Sequence, residues 1–289
     1  MDILKALVTS TFPSVTPTAL MTIYTGLPPL AHGVLGFEFY HKNSGQVINP
    51  FKLNSNMALL NDIFNSFDNL FEEAARSRIG VCACMPKELV SNPATQRMLN
   101  KVRIIGYRSL TDVNDLINGA KNMKLIYIYS SKLDETLHKE GSASHRIEGI
   151  LHEVLALIRY SLKNGFTIIL LSDHSFINVE KKVNIKVGNI KIASNGGRVV
   201  YLYSNDGNGR GLQVAIEEEE NFGCFSGDQL IREGWFGEGE HSERVGEMVL
   251  IARGRNFLTY EGKESKDKAT HGGFLFEEMV APLVIFSPP

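Results

Sequence analysis

The sequence has little cysteine, no excess of basic charge and no long apolar run. Only three of its 289 residues are cysteines, too few for a disulfide framework, which favours a reducing cytoplasm. A formal net charge of -2 speaks against nucleic acid as a bulk partner. No stretch reaches the roughly 18 apolar residues of a membrane span. Residues 1–11 also lack the basic and apolar regions of a signal peptide.

What is present is the composition of a globular protein. Hydrophobic residues make up 43% of the chain and charged residues 21%, so the chain can bury a substantial core. An anionic substrate would need local positive charge, because the chain carries no basic excess. Bound metal ions are one source of such charge.

Short apolar runs alternate with amphipathic helices over the first two thirds of the chain. Residues 125–129 and 166–171 are continuous apolar runs, typical of strands buried on both faces. Residues 145–163 and 56–76 carry apolar side chains three and four positions apart, which predicts two long helices. This alternation predicts an α/β fold with a mainly parallel central sheet and helices on both faces.

The pattern changes after residue 174. Residues 183–193 and 198–203 predict strands joined by Gly/Asn turns, so we expect a small antiparallel insert. The predicted organisation is a first part of the α/β core at 1–182, an insert or lid at 183–243, and the closing part of the core at 244–289.

Two carboxylate and imidazole pairs follow predicted strands. Asp134 and His138 come shortly after the strand at 125–129, and Asp173 and His174 directly follow the strand at 166–171. Carboxyl ends of parallel strands meet at one edge of a sheet, where ligands gather. Mixed carboxylate and imidazole ligands suit Zn²⁺ or Mn²⁺. For each pair taken alone, a helix-capping Asp beside an exposed His is the alternative.

Thr16 is the candidate nucleophile. It fits the N-cap of a helix, with Pro17 at the first helical position and Gly26 at the end. The start of a helix offers a positive dipole end that favours a phosphoryl group. A hydroxyl also needs a base or a metal before it attacks. The alternative is that Thr16 is only a cap.

Taken in order, these segments resemble the type I phosphodiesterase and nucleotide pyrophosphatase group of the alkaline phosphatase superfamily, with its PglZ-like relatives. The resemblance implies a three-layer α/β/α fold of the alkaline phosphatase kind and runs from Thr11 almost to the C-terminus. It is carried by residues 12–16 with Thr25-Gly26 and His32-Gly33, by 129–141, by 172–174, and by His271-Gly272-Gly273 with the residues after it.

The resemblance implies a metal-dependent phosphoester hydrolase with a phosphothreonine intermediate and a small phosphoester as substrate. The family's nucleophile lies nine residues before the Thr-Gly pair, which implies Thr16 and leaves Thr11 as second choice. Two divalent ions, Zn²⁺ or Mn²⁺, are expected as cofactors. The implied ligands are Asp134, His138 and His271 for one ion, and Asp173, His174 and the Thr16 oxygen for the other.

The sequence departs from the family at two positions. Family members carry a further metal-binding Asp on a first strand some tens of residues upstream of the nucleophile, whereas only fifteen residues precede Thr16 here. Phe37 stands where nucleotide pyrophosphatases have an Asn that contacts the phosphate. These departures keep a second hypothesis open, a catalytically weakened PglZ-like binding or regulatory module. Residues 195–198 and 244–247 also resemble PglZ-like members, with no chemistry assigned to them.

Overall fold

The computed structural model describes residues 3–53, 56–64, 68–120, 122–205, 214–215, 219–260 and 264–288. The helices are α1 (Thr16–Thr25), α2 (Pro29–His32), α3 (Met57–Phe64), α4 (Leu70–Arg76), α5 (Lys87–Val90), α6 (Pro93–Met98), α7 (Asp112–Gly119), α8 (Lys132–Glu140), α9 (Arg146–Lys163), α10 (Gly227–Arg232) and α11 (Phe276–Met279). Within these ranges, no helix has the length and apolar character to cross a membrane.

Seventeen strands lie among these helices within the described ranges. They are β1 (Ile3–Thr9), β2 (Phe39–His41), β3 (Gln46–Ile48), β4 (Val81–Pro86), β5 (Arg103–Tyr107), β6 (Leu125–Ile128), β7 (Ile168–Leu171), β8 (Ile177–Asn178), β9 (Lys181–Val187), β10 (Lys191–Asn195), β11 (Val199–Tyr203), β12 (Val214–Ala215), β13 (Phe222–Ser226), β14 (Met248–Ala252), β15 (Asn256–Tyr260), β16 (Ala269–Thr270) and β17 (Val280–Phe286).

Strands β5, β4 and β6 form a parallel sheet with helices on both faces. Successive side chains of a strand point to opposite faces. Ala83 and Met85 of β4 therefore pack with α1, α3 and α4 on one side. Cys84, between them, packs with α7 and α9 on the other side. The predicted layers of helix, parallel sheet and helix are present here.

Strand β7 differs from the prediction that it is buried on both faces. It pairs antiparallel with β17, which pairs antiparallel with β1. Ile169 of β7 is 67% exposed and Leu171 is 38% exposed. The continuous apolar run therefore predicted the strand correctly, but the prediction that both of its faces are buried was wrong. The position of β7 matters because its carboxyl end delivers Asp173 and His174.

The insert is built mainly from antiparallel strands. Strands β10, β11, β14 and β13 pair antiparallel in that order, so β14, from the segment predicted to close the α/β core, lies between strands of the predicted insert. Their buried apolar side chains form the core of this part of the chain. The single strand expected at 183–193 is two strands, β9 and β10, with Gly188 between them. Strand β9 pairs in parallel with β15. The domain boundaries after residues 182 and 243 stay a prediction.

The start of α1 differs by one residue from the sequence prediction. Val15, not Thr16, occupies the N-cap, and its side chain makes no capping hydrogen bond. Thr16 is the first helical residue. Gly26 ends the helix as expected, in a left-handed conformation with φ of 70°. The Thr16 hydroxyl is therefore not used to cap the helix.

The single helix predicted at 56–76 is wrong, because α3 ends at Phe64 and α4 begins at Leu70. Asn69 precedes α4, and its side chain accepts hydrogen bonds from the backbone N–H groups of Phe71 and Glu72. Such an N-cap starts a new helix whatever the apolar spacing around it. Residues 65–67 lie outside the described part of the chain.

We expect Asn69→Ala to lower the free energy of unfolding by about 1–2 kcal/mol, because two backbone N–H groups lose their acceptor. The Asn69 side chain also donates to the Met98 carbonyl. Urea unfolding monitored by circular dichroism measures the change. Asn43→Ala is the control, since Asn43 is exposed and its amide donates to the Asp62 carboxylate, not to the end of a helix. Equal losses in the two variants would contradict the capping role.

Candidate metal centre and nucleophile

Three side chains from two distant parts of the sequence lie close together beside α8. Asp134 and His138 are four residues apart on α8 and so share one helix face. His271 follows β16. Its Nε2 lies 3.6 Å from Asp134 Oδ1, and His138 Nε2 lies 3.8 Å from the same oxygen. One donor atom from each residue lies within 4.8 Å of the others.

This trio has the spacing and the donor types of a zinc-like site. Two ligands of one tetrahedral zinc ion, each bound at about 2.0–2.1 Å, lie about 3.3 Å apart. The observed separations of 3.6 and 3.8 Å are only slightly wider. Asp134 Oδ1 is also buried without a hydrogen-bond partner among the described residues. Buried polar atoms are normally paired, so the residues present fit a divalent cation.

The candidate nucleophile contacts the second carboxylate and imidazole pair. The Thr16 hydroxyl lies 3.0 Å from His174 Nε2. Asp173 Oδ2 is 3.5 Å from His174 Nε2. The Thr11 hydroxyl instead faces the carbonyl of Pro13 at 3.4 Å. Of the two threonines considered from the sequence, the structure brings Thr16 to the histidine.

The two sets of side chains form one continuous site. The rings of His174 and His271 stack with centroids 3.6 Å apart and planes 14° apart. Phe176 contacts the rings of His138, His174 and His271 edge-on, with centroids 5.0 to 5.3 Å away. Phe176 therefore forms an apolar wall that all three imidazoles share.

Backbone carbonyls fix the tautomers of two histidines. His271 Nδ1 is 2.9 Å from the Ser14 carbonyl, and His174 Nδ1 is 3.2 Å from the Ser175 carbonyl. A carbonyl can only accept a hydrogen bond, so each Nδ1 carries the proton. Each Nε2 then presents its lone pair to the site, which is how a metal-binding histidine is oriented.

Burial is the largest influence on how these groups titrate. Burial and, to a smaller extent, the nearby Asp173 carboxylate together raise the pKa of Asp134 to about 7. Burial lowers the pKa of His174 to about 4 and the pKa of His271 well below its usual value. The imidazoles are therefore neutral at pH 7, and their contacts with aspartates are not ion pairs. Neutral imidazole is the form that binds metals.

Three residues that support the site were not found from the sequence. Ser14 gives its carbonyl to His271, Phe176 provides the apolar wall, and Asp267 Oδ2 lies 3.8 Å from His138 Nδ1. Phe176 follows His174 by two residues, so the strand-end motif could have drawn attention to it. Ser14 acts through its backbone, and Asp267 precedes a two-residue strand. Neither residue carries a recognisable signal in the sequence.

Comparison with solved structures gives the fold. Murine ectonucleotide pyrophosphatase / phosphodiesterase 5 is 17% identical over 97% of this chain and 79% of that protein, with a TM-score of 0.76. Phosphonoacetate hydrolase from Sinorhizobium meliloti 1021, in complex with phosphonoformate, is 14% identical over 97% of this chain and 81% of that protein, with a TM-score of 0.72. The expected alkaline-phosphatase-like α/β fold is confirmed.

A further structure of the murine protein is of an inactive variant, with alanine in place of a threonine, in complex with AMP. It is 16% identical to this chain, covers 97% of it and 79% of its own length, and has a TM-score of 0.76. No curated protein matches the chain.

The family model supplies the classification. The model described as type I phosphodiesterase / nucleotide pyrophosphatase matches residues 2–274, which is nearly the whole chain and includes all six candidate site residues. The chain therefore belongs to the type I phosphodiesterase / nucleotide pyrophosphatase family, whose members hydrolyse phosphoric ester bonds.

Proposed function

We propose that this chain hydrolyses a small phosphoester, with Thr16 as the nucleophile and two divalent metal ions, Zn²⁺ or Mn²⁺, as cofactors. The observation that carries the proposal is the position of the Thr16 hydroxyl, which lies 3.0 Å from His174 Nε2. The ring of His174 in turn stacks on the ring of His271, a member of the trio. Family membership supports the reaction class. The inactive alanine variant of the murine relative supports a role for a threonine in this fold.

The two ions would be held by different parts of the site. Asp134, His138 and His271 would hold one ion, and Asp173 and His174 would hold the other together with the Thr16 oxygen. Two such ions favour deprotonation of the nucleophilic hydroxyl and stabilise negative charge on the attacking and leaving oxygens.

The chain's own groups position the reactants. Thr16 lies at the start of α1, whose positive dipole end favours the incoming phosphoryl group. The Thr16 hydroxyl gives up its proton to solvent and its oxygen attacks phosphorus. The bond to the leaving group breaks, and the leaving oxygen departs with the electron pair and takes up a proton from solvent. Water then hydrolyses the resulting phosphothreonine, which releases the phosphate and restores the hydroxyl. Positioning and electrostatics supply most of the catalysis in phosphoryl transfer.

One observation favours the second hypothesis, a PglZ-like binding or regulatory module with weakened catalysis. In the described part of the chain, the trio is the one group of three His, Cys, Asp or Glu side chains spaced for a metal. The second proposed ion would have only two such side chains as ligands, Asp173 and His174. Phe37, whose ring lies 6.5 Å from that of Phe51, cannot hydrogen-bond to a phosphate. A cation at the trio without turnover is what this module would show.

We also propose a cytoplasmic location. Cys82 and Cys84 are free thiols buried in β4. Free thiols persist in reducing compartments.

We expect the metal-free protein to bind Zn²⁺ and to gain thermal stability, by about 2.7 kcal/mol at a free concentration one hundred times the dissociation constant. Asp134→Asn and His271→Ala should each weaken the affinity by more than tenfold, because each removes a ligand. Calorimetric titration measures the affinity. His152→Ala, on the exposed face of α9, is the control and should bind like the wild type. If all four proteins bind zinc equally, the trio is not the site.

Hydrolysis of bis(p-nitrophenyl) phosphate should stop on exhaustive chelation and return when Zn²⁺ or Mn²⁺ is added. Release of nitrophenolate gives the rate. Readdition of Mg²⁺ alone is the control, since imidazole ligands suit zinc better than magnesium. Turnover that survives chelation would rule out the metal-dependent mechanism.

Thr16→Ala should lower kcat by at least about a thousandfold, because no hydroxyl remains to form the phosphothreonine. Thr16→Ser should keep a measurable rate, and Thr11→Ala should be close to wild type. Unfolding cannot explain the loss, since the Thr16 side chain does not cap α1. Full activity in Thr16→Ala with an inactive Thr11→Ala would reverse the assignment. No turnover by the metal-loaded wild type would favour the binding module.

A further inference from the structure

The structure assigns a role to the turn formed by residues 195–198 (Asn-Gly-Gly-Arg): we propose that it sets the position of the candidate metal ligand His271. The turn joins β10 to β11 in the insert, more than seventy residues before His271 in the sequence. This inference rests on the proposed metal centre. It makes Gly196 and Arg198 positioning residues, which do not touch the metal or the substrate.

The first contact is between backbones. Gly196 has a φ of 65°, and a Cβ added to it would lie 2.0 Å from the carbonyl oxygen of His271. The Thr270 hydroxyl also donates to the Gly196 carbonyl at 2.6 Å. The turn therefore lies directly against residues 270 and 271, with no room for a side chain between them.

The second contact is a buried ion pair. Arg198 Nε and Nη2 donate to the two Glu278 carboxylate oxygens at 2.9 and 3.0 Å, and both side chains are fully buried. Two-point contact of this kind fixes orientation as well as distance. Glu278 Oε1 also accepts from the backbone N–H of Gly273 at 2.9 Å. The carboxylate thus ties the turn to the loop that carries His271.

Arg198 also hydrogen-bonds to the segment that leads into β15. Its guanidinium donates to the Gly254 carbonyl at 2.7 Å and to the carbonyl of Asn256. Removal of one partner of such a buried pair leaves an uncompensated charge. The position of Arg198 is therefore determined on both sides.

Ser14 holds the same loop from the side of the nucleophile. Its carbonyl accepts from His271 Nδ1 at 2.9 Å. Its hydroxyl accepts from the Gly272 N–H at 3.1 Å and donates to the Gly273 carbonyl at 2.8 Å. The loop at 271–273 lies between the segment before Thr16 and the turn of the insert. The distance from His271 Nε2 to Asp134 is set by contacts on both sides of this loop.

Gly197 supplies a matched control for Gly196. It has the same φ of 65°, so alanine is strained at either position. A Cβ on Gly197 would meet the Phe257 ring at 2.3 Å, whereas one on Gly196 would meet the His271 carbonyl. Both substitutions destabilise the protein, but only Gly196→Ala pushes on the proposed ligand.

The test compares Gly196→Ala, Gly197→Ala and wild type by calorimetric titration of the metal-free proteins with Zn²⁺ and by the visible absorption of Co²⁺-loaded proteins. Urea unfolding confirms that both variants are folded. We expect Gly196→Ala to lose at least about tenfold in zinc affinity and to have an altered cobalt spectrum, as for removal of an orienting partner. Gly197→Ala should stay within about threefold of wild type. Equal affinities in the two variants would overturn the inference.

If Gly196→Ala does not fold, Thr270→Val decides the question. This substitution keeps the shape of the side chain and removes the hydrogen bond to the Gly196 carbonyl at 2.6 Å, together with a weaker one to the His271 carbonyl at 3.4 Å. A loss of zinc affinity in a folded Thr270→Val supports the positioning role, and wild-type affinity overturns it. A wild type that binds no zinc would overturn the metal centre itself, and the inference with it. A wild type and variants that bind equally would overturn the inference alone.

Discussion

Burial of the Asp134 carboxyl beside neutral imidazoles is the constraint on which the rest of the site depends. With no cation, burial and the Asp173 charge raise the pKa of Asp134 to about 7, so at pH 7 its charged form is poorly stabilised. A divalent ion reverses this balance, because it favours the ionised carboxylate and needs the lone pairs of neutral histidines. Asp134 Oδ1 has no hydrogen-bond partner among the described residues. Ser14 and Ser175 orient the Nε2 lone pairs of His271 and His174 toward the site. These are the groups that such an ion would bind.

The local parts of this arrangement could be predicted from the sequence. The helix after Thr16 ends at Gly26 as expected. The predicted fold class is confirmed as well. Alternation of apolar runs with amphipathic helices indicates which segments form the sheet and which form the helical layers that cover it. Apolar spacing did not show the break before α4, since Asn69 starts a helix through two hydrogen bonds that compete with the surrounding pattern.

The long-range parts could not be predicted from periodicity. Nothing in the spacing of residues near 271 shows that Ser14 lies under that loop or that Glu278 pairs with Arg198. Such contacts depend on how segments far apart in the sequence pack together: Arg198 and Glu278 are 80 residues apart, and Ser14 and His271 are 257 residues apart. The sequence alone did not decide whether the Thr16 side chain caps the helix or acts as the nucleophile. The structure gives the N-cap to Val15, so the Thr16 hydroxyl is available to His174.

The two proposed ion sites differ in what they require of the chain. The trio needs only α8 and the loop after β16, and that loop is held by buried contacts from two directions. The second set depends on Thr16 itself and on β7, which is partly exposed. A chain that had lost catalysis could therefore keep the trio intact, because Thr16 itself makes none of the contacts that hold this loop. For this reason metal binding alone does not separate a hydrolase from a binding module, whereas the chemistry at Thr16 does.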